Sequence, residues 1–180
     1  PWLAVRIWRL LLLLLAAWGI RRYLAVVLGP RLTVPARVAV TAFWVVNPYV
    51  IVAGSTTPIL LPYALLPWTL VAFVHATRAP RSWRWPAVFA LAFFAQTGLN
   101  AGVVPFFGLL ALPAHVVHAR WAEHRSWREL VGVVARCGVL ALAVSLYWLL
   151  PSILAAGTGA GIAGATENPR DVSRTSSYAE

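Results

Sequence analysis

Apolar stretches and clusters of arginine alternate along these 180 residues, and the alternation predicts membrane-spanning helices rather than a soluble core. The first apolar stretch, residues 3–20, contains a run of six leucines and ends against Arg21 and Arg22. A turn at Gly29 and Pro30, flanked by Arg31 and Arg37, separates it from a second stretch over 38–47. The third covers 58–77 and stops at Arg78, Arg81 and Arg84. The fourth and fifth, 85–99 and 103–118, are short for about 30 Å of hydrocarbon and are interrupted by Gly98, Gly102, Pro105, Gly108 and Pro113. A loop with Arg120, Arg125 and Arg128 follows, then a sixth stretch over 130–150. The predicted fold is all-α: a polytopic transmembrane helical bundle of about six spans with a broken or re-entrant segment. If residues 85–118 form a re-entrant hairpin, both flanking arginine loops still lie on one side.

The stretch over 47–68, NPYVIVAGSTTPILLPYALLPW, departs most from a plain anchor. It carries no charge, yet four prolines and a Gly-Ser-Thr-Thr cluster interrupt it. Broken helix in a bilayer frees backbone groups that lipid cannot satisfy, so such breaks are tolerated where protein or a watery cavity covers them. Pro58 suits the first turn of a helix, with Ser55, Thr56 or Thr57 before it as the cap. The unpaired N–H groups and positive dipole end of that helix form a natural seat for a phosphate. The plainer alternative is that Pro58, Pro62 and Pro67 only kink a packed helix.

Composition agrees with membrane embedding: 61% of residues are hydrophobic, 11% are charged and mean hydropathy is +0.76. The net charge of +10 comes from arginine, since the chain has no lysine. In a membrane protein such charge sets orientation before it suggests nucleic acid, and no aromatic-and-basic RNA motif accompanies it. The arginines gather in every second loop, around residues 21–37, 78–84 and 120–136, whereas the loops around 47–57 and 98–104 have no charge. The positive-inside rule therefore places the arginine loops in the cytoplasm. Trp83, Trp85, Trp121 and Trp127 fit an interfacial belt on that side, and Trp2 and Trp148 mark the opposite face.

Candidate chemistry is sparse. Arg6 and Arg9 lie three apart on one face of the first span, near its outer end, where a pair can hold a phosphate or simply anchor the helix to lipid head groups. His75, His115 and His118 lack carboxylate or cysteine neighbours at metal-ligand spacing, and His124, beside Glu123 in a basic loop, reads as solvated, so no metal site is read from them. Cys137, alone in an apolar helix, reads as buried packing. After the bundle over 1–151, residues 152–180 turn to small and polar residues and read as an extracytoplasmic loop or the start of a following domain. Glu167, Asp171 and Glu180 are the carboxylates on the outer side, so an extracytoplasmic base or ligand within the chain must come from them. The plain alternative is a solvated connector. With Pro1 first and no methionine, the chain reads as an internal piece of something longer.

The order of these features resembles a known family. An apolar helix with Arg6 and Arg9, then ARVAVTAFWVVNPYVIVAGSTTPILLPYALLPW, a turn at Gly98-Leu99-Asn100-Ala101-Gly102, and ENPRDVSRTSSYAE after a helix with Trp148 resemble the N-terminal membrane region of actinobacterial α-(1→3)-arabinofuranosyltransferases, polytopic enzymes of the GT-C class. The resemblance implies transfer of arabinofuranose from a polyprenyl phosphate donor to cell-wall arabinan on the outer face of the plasma membrane. It also implies a catalytic acid in a loop N-terminal to Pro1. One departure stands out: Ser55-Thr56-Thr57 occupies the place of a Ser-Ser-Glu type sequence, so a role carried by that acid does not transfer.

Transfer from a lipid phosphate needs a base for the acceptor hydroxyl and positive groups for the leaving phosphate. On this reading Arg6, Arg9, Ser55, Thr56 and Thr57 line the donor phosphate site, and Glu167, Arg170 and Asp171 lie near the acceptor. No cofactor is identified from the residues, and a divalent cation is left open. A transporter or flippase of a lipid-linked substrate also uses broken helices, but the chain shows no convincing internal repeat. A non-catalytic membrane scaffold is the third reading. The topology predicts that, with Cys137 replaced, an impermeant thiol reagent applied outside the cell labels a cysteine at Ser55 and spares one placed between Arg78 and Arg84.

Overall fold

The computed structural model describes residues 2–53, 57–97 and 110–166. Among them every regular element is helical: α1 (Trp2–Val27), a 3-10 turn (Gly29–Arg31), α2 (Val34–Val45), α3 (Pro48–Ala53), α4 (Thr57–Arg78), α5 (Arg84–Thr97), α6 (Ala111–Trp121) and α7 (Trp127–Thr166). The chain is thus an all-α membrane bundle. Four segments are long and apolar enough to cross a bilayer: Trp2–Val27, Val34–Ile51, Ile59–Arg78 and Trp127–Ala156. They match the first, second, third and sixth expected spans. Helices α5 and α6, with 14 and 11 residues, reach only about 21 and 16 Å at 1.5 Å per residue. The turn expected between them lies outside the described residues.

Three boundaries differ from the sequence reading. Helix α1 runs on to Val27, seven residues past the expected end at Ile20, and carries Arg21 and Arg22 inside it. Helix α2 begins at Val34, four residues before the expected start, with Pro35 in its first turn. Arg37 is accommodated inside the helix because its guanidinium reaches back to the Gly29 carbonyl, 2.6 Å away. At the other end, α7 continues through Pro151 to Thr166. The Ala- and Gly-rich stretch after Ser152 carries no charge to stop a helix. Helix α7 runs from one compact unit, residues 1–144, into a second, residues 145–180.

Within the first unit, α4 is the element around which the others pack. Its apolar window is 67% buried, whereas that of α2 has no buried residue. Lipid tails are as apolar as leucine, so burial of apolar surface does not drive helices together in a membrane, and close van der Waals packing must. Small residues permit it. Helix α1 turns Leu12, Ala16, Gly19 and Ile20 inward, spaced at helical intervals, and Leu12 and Ala16 form one cluster with Leu60 and Ala64 of α4. Further along, Gly19 meets Pro67 and Trp68, and Arg78 Nη1 donates to the Val26 carbonyl at 2.9 Å. The contacts advance in the same direction on both helices, so α1 and α4 run parallel.

The opposite face of α4 packs on α5 and on the N-terminal part of α7 through Ala72, Phe73, Ala76, Phe89, Val133 and Cys137. Cys137 is therefore core packing, as its apolar setting implied. A polar pair crosses the α4–α5 contact: Gln96 Nε2, fully buried, donates to Thr69 Oγ1. Such pairs are worth about 0.6 kcal/mol on average in membrane helices.

Gly19 is the tightest point. A Cβ there would lie 2.6 Å from Trp68 Nε1 and 3.2 Å from Pro67 Cβ. The Trp68 ring is held by an edge contact with Trp18, centroids 4.8 Å apart, and by its 3.2 Å bond to the Leu15 carbonyl. In the full-length protein, Gly19→Ala is expected to cost about 1–3 kcal/mol through overpacking, despite the ~1 kcal/mol advantage of Ala in a helix. Gly138→Ala, with open space around its Cβ, is expected to be neutral or mildly stabilising. Thermal unfolding in detergent checks both.

Candidate functional site

The broken stretch begins where α2 ends. The turn at Val46 and Asn47 leaves the last carbonyls of α2 without helical partners, and in a membrane each must be satisfied. Two side chains do this at Trp44. Its carbonyl accepts from Asn47 Nδ2 at 2.8 Å and from the Tyr63 hydroxyl of α4 at 2.6 Å. Asn47 Nδ2 also lies 2.7 Å from the Tyr63 oxygen, and Asn47 Oδ1 accepts from the Val50 amide at 3.0 Å, capping α3. The Trp44 and Tyr63 rings stack with centroids 4.8 Å apart. The break is thus braced by aromatic stacking and hydrogen bonds against α4. Sequence reasoning missed this cluster, although an Asn-Pro at a helix end was a visible capping signal.

Helix α4 then starts at Thr57 with Pro58 in its first turn. Ser55 and Thr56 lie outside the described residues, as do Glu167, Arg170, Asp171 and Glu180, and the side chain of Thr57 is not described. Arg6 is exposed, its guanidinium 4.6 Å from the centroid of the Trp2 ring. Arg9 differs. It is half-buried, with Nε shielded from solvent. It also continues the inward stripe of α1, three residues before Leu12. In the parallel register that sets Leu12 and Ala16 with Leu60 and Ala64, one further turn toward both N-termini brings Arg9 level with Thr57. The two candidate arginines therefore divide: Arg9 is half-buried on the packed stripe of α1 and Arg6 is exposed.

The opposite end of the bundle gathers the arginine loops. Arg78 pairs with Glu123 of the α6–α7 loop, Nη2 to Oε1 2.8 Å, and holds the Val26 carbonyl at the end of α1. Arg125 Nη2 donates to the Arg78 carbonyl at 3.1 Å, and Arg136 donates to the Pro80 carbonyl. Cations on helix C-terminal carbonyls are favourable against the helix dipole. Ser126 and Glu129 form a reciprocal capping box that starts α7, with Ser126 N to Glu129 Oε2 at 3.2 Å and Glu129 N to Ser126 Oγ at 3.3 Å. The three arginine loops thus share one end of this unit, as their alternation along the sequence predicts. His115 joins the same region through Tyr23, 2.9 Å from its Nε2, and His75 stacks on Trp85 with centroids 4.3 Å apart.

Among the described residues no three His, Cys, Asp or Glu side chains gather as metal ligands. A cavity of about 500 Å³ between α4, α5, α6 and α7 is lined by Phe73, Phe89, Leu112, Val116, Val134 and Cys137 among others, and offers no polar group for chemistry.

Comparison with known proteins bears on the family of the chain. The family model for the α-(1→3)-arabinofuranosyltransferase N-terminal GT-C domain matches residues 1–177. An α-(1→3)-arabinofuranosyltransferase from Mycolicibacterium smegmatis is 30% identical over 139 residues, which is 74% of this chain and 10% of the relative. The chain therefore spans about a tenth of the length of the curated relative it matches. No solved structure matches the chain.

The brace at the break is testable by itself. Asn47→Ala removes both the α3 cap and a donor to Trp44, and is expected to cost about 1–2 kcal/mol in the full-length protein. Tyr63→Phe leaves Asn47 on the Trp44 carbonyl and is expected to cost less. Thermal unfolding of the two variants in detergent gives the order.

Proposed function

The chain belongs to the α-(1→3)-arabinofuranosyltransferase family, within its N-terminal GT-C domain, and from that premise we propose that it forms the donor-phosphate side of a membrane arabinofuranosyltransferase. On this reading the intact enzyme takes arabinofuranose from a polyprenyl phosphate and adds it to cell-wall arabinan at the extracytoplasmic face of the plasma membrane. The proposal rests on the half-buried Arg9 lying three residues before Leu12 on the α1 stripe that packs on α4, a register that sets it toward the start of α4. A guanidinium and the unpaired N–H groups of a helix N-terminus then approach one anion from two sides.

The chemistry divides accordingly. As the acceptor hydroxyl attacks the anomeric carbon, the bond from that carbon to the donor phosphate oxygen breaks and negative charge gathers on the leaving lipid phosphate. Arg9, assisted by Arg6 and by the backbone at Ser55, Thr56 and Thr57, stabilises that charge. A carboxylate on a loop N-terminal to Pro1 takes the hydroxyl proton. Glu167, Arg170 and Asp171 contribute to the acceptor side. The fixed brace of Asn47 and Tyr63 supports the reading, because a phosphate seat built on a break must hold its shape between turnovers.

Replacing Arg9 with Leu in the full-length enzyme is expected to lower kcat/KM for the polyprenyl-phosphoryl donor about 10- to 100-fold, the range for one charge-assisted hydrogen bond. Arg6→Leu is expected to have the smaller effect, and both variants should insert normally. The assay uses membranes with labelled donor and a short arabinan acceptor. Unchanged donor kinetics in the double variant would remove both residues from the site.

A further inference from the structure

A groove of about 420 Å³ follows α2 on the side facing α1, and it is lined by Arg21 of α1 and by Val34, Arg37, Val38, Thr41 and Val45 of α2 among others. Its two ends differ in chemistry. Arg21 and Arg37 sit at the end where the α1–α2 hairpin turns, and the rest is an apolar strip. Past Arg37 the strip, from Val38 to Val45, measures about 10 Å along the helix, about a third of the ~30 Å hydrocarbon thickness. One cationic end and one apolar track together match the head group and the upper acyl chain of a single lipid.

The charge at that end is uncompensated within the described residues. Arg37 spends one Nη2 bond on the Gly29 carbonyl, while its Nε is shielded from solvent and has no hydrogen-bond partner. The two carboxylates among the described residues are used elsewhere: Glu123 pairs with Arg78, and Glu129 caps α7 through Ser126. The strip itself is open, with Val34 and Val38 among the exposed large apolar side chains. Thr41, whose hydroxyl bonds back to the Arg37 carbonyl at 2.7 Å, adds no unsatisfied polar group to it.

We propose that this groove holds an anionic phospholipid, its phosphate between Arg21 and Arg37 and one acyl chain laid along Val38, Thr41 and Val45. The site lies at the hairpin end, opposite the break, and is separate from the donor-phosphate seat. A guanidinium pair recognises a phosphodiester by charge and by forked donors, and basic clusters beside transmembrane helices recognise anionic head groups. A zwitterionic lipid offers the same acyl chain, but its own ammonium offsets the phosphate charge.

The test uses the delipidated full-length protein in detergent, titrated with dioleoylphosphatidylglycerol or dioleoylphosphatidylcholine and followed by native mass spectrometry. The first tight phosphatidylglycerol adduct is expected to weaken about fivefold on Arg21→Gln, a change that removes no intraprotein hydrogen bond described here, and by a further fivefold when Arg37→Gln is added. Phosphatidylcholine is expected to show neither shift. Val38→Trp fills the apolar strip and should weaken phosphatidylglycerol while leaving both guanidinium groups in place. A benzophenone side chain at position 38 should crosslink to lipid. Equal phosphatidylglycerol affinity in wild type and Arg21→Gln, an equal shift with phosphatidylcholine, or crosslinking of position 38 to another part of the protein would each overturn the proposal.

Discussion

The close approach of α1 to α4 is the contact on which the remaining packing rests. Helix α4 carries Pro62 and Pro67 inside it, and each proline removes a backbone donor in an environment without water. Such a helix persists only when neighbours enclose it. Ala16 and Gly19 let α1 come near enough to enclose one side, and the Trp68 ring fills the space that Gly19 leaves. The Trp68 N–H then finds the Leu15 carbonyl, so even the largest polar-tipped side chain at this contact is satisfied.

The two ends of the first unit solve one problem by different means. Where the helices end among arginines, guanidinium groups reach the terminal carbonyls of α1 and α4 and tie adjacent loops together. Where α2 gives way to α3, no charge is available, and a neutral Asn–Tyr–Trp cluster takes the carbonyl instead. The charged end meets water and lipid head groups, where arginine is well tolerated, whereas the neutral solution suits backbone held against hydrocarbon. The proposed donor seat rests on the second end, where the braced break precedes the start of α4.

Much of this was legible in the chain. Long apolar runs announced α1, α4 and α7, and arginine spacing put three loops on one side, because both signals are local. What escaped depended on partners distant in sequence. Arg37 looked like a loop boundary until the Gly29 carbonyl gave its guanidinium a place beside the helix. Tyr63 gave no signal of its own, since its role follows from the return of α4 beside the end of α2. Arg6 and Arg9 read as equivalent at three-residue spacing, and the packing stripe of α1 separates them. Ser55, Thr56, Glu167, Arg170 and Asp171 remain expectations from sequence.

The parallel course of α1 and α4 also governs the order in which the chain can assemble. Helices that run the same way cannot be joined by a tight turn, and here α2 and α3 intervene before Pro67 reaches Gly19, about 48 residues later. At a synthesis rate of about 5–20 residues per second, that interval lasts roughly 2–10 s. Until then the Ala16–Gly19 notch of α1 lacks the indole that fills it in the folded domain, so within a bilayer closing this contact displaces lipid tails rather than water.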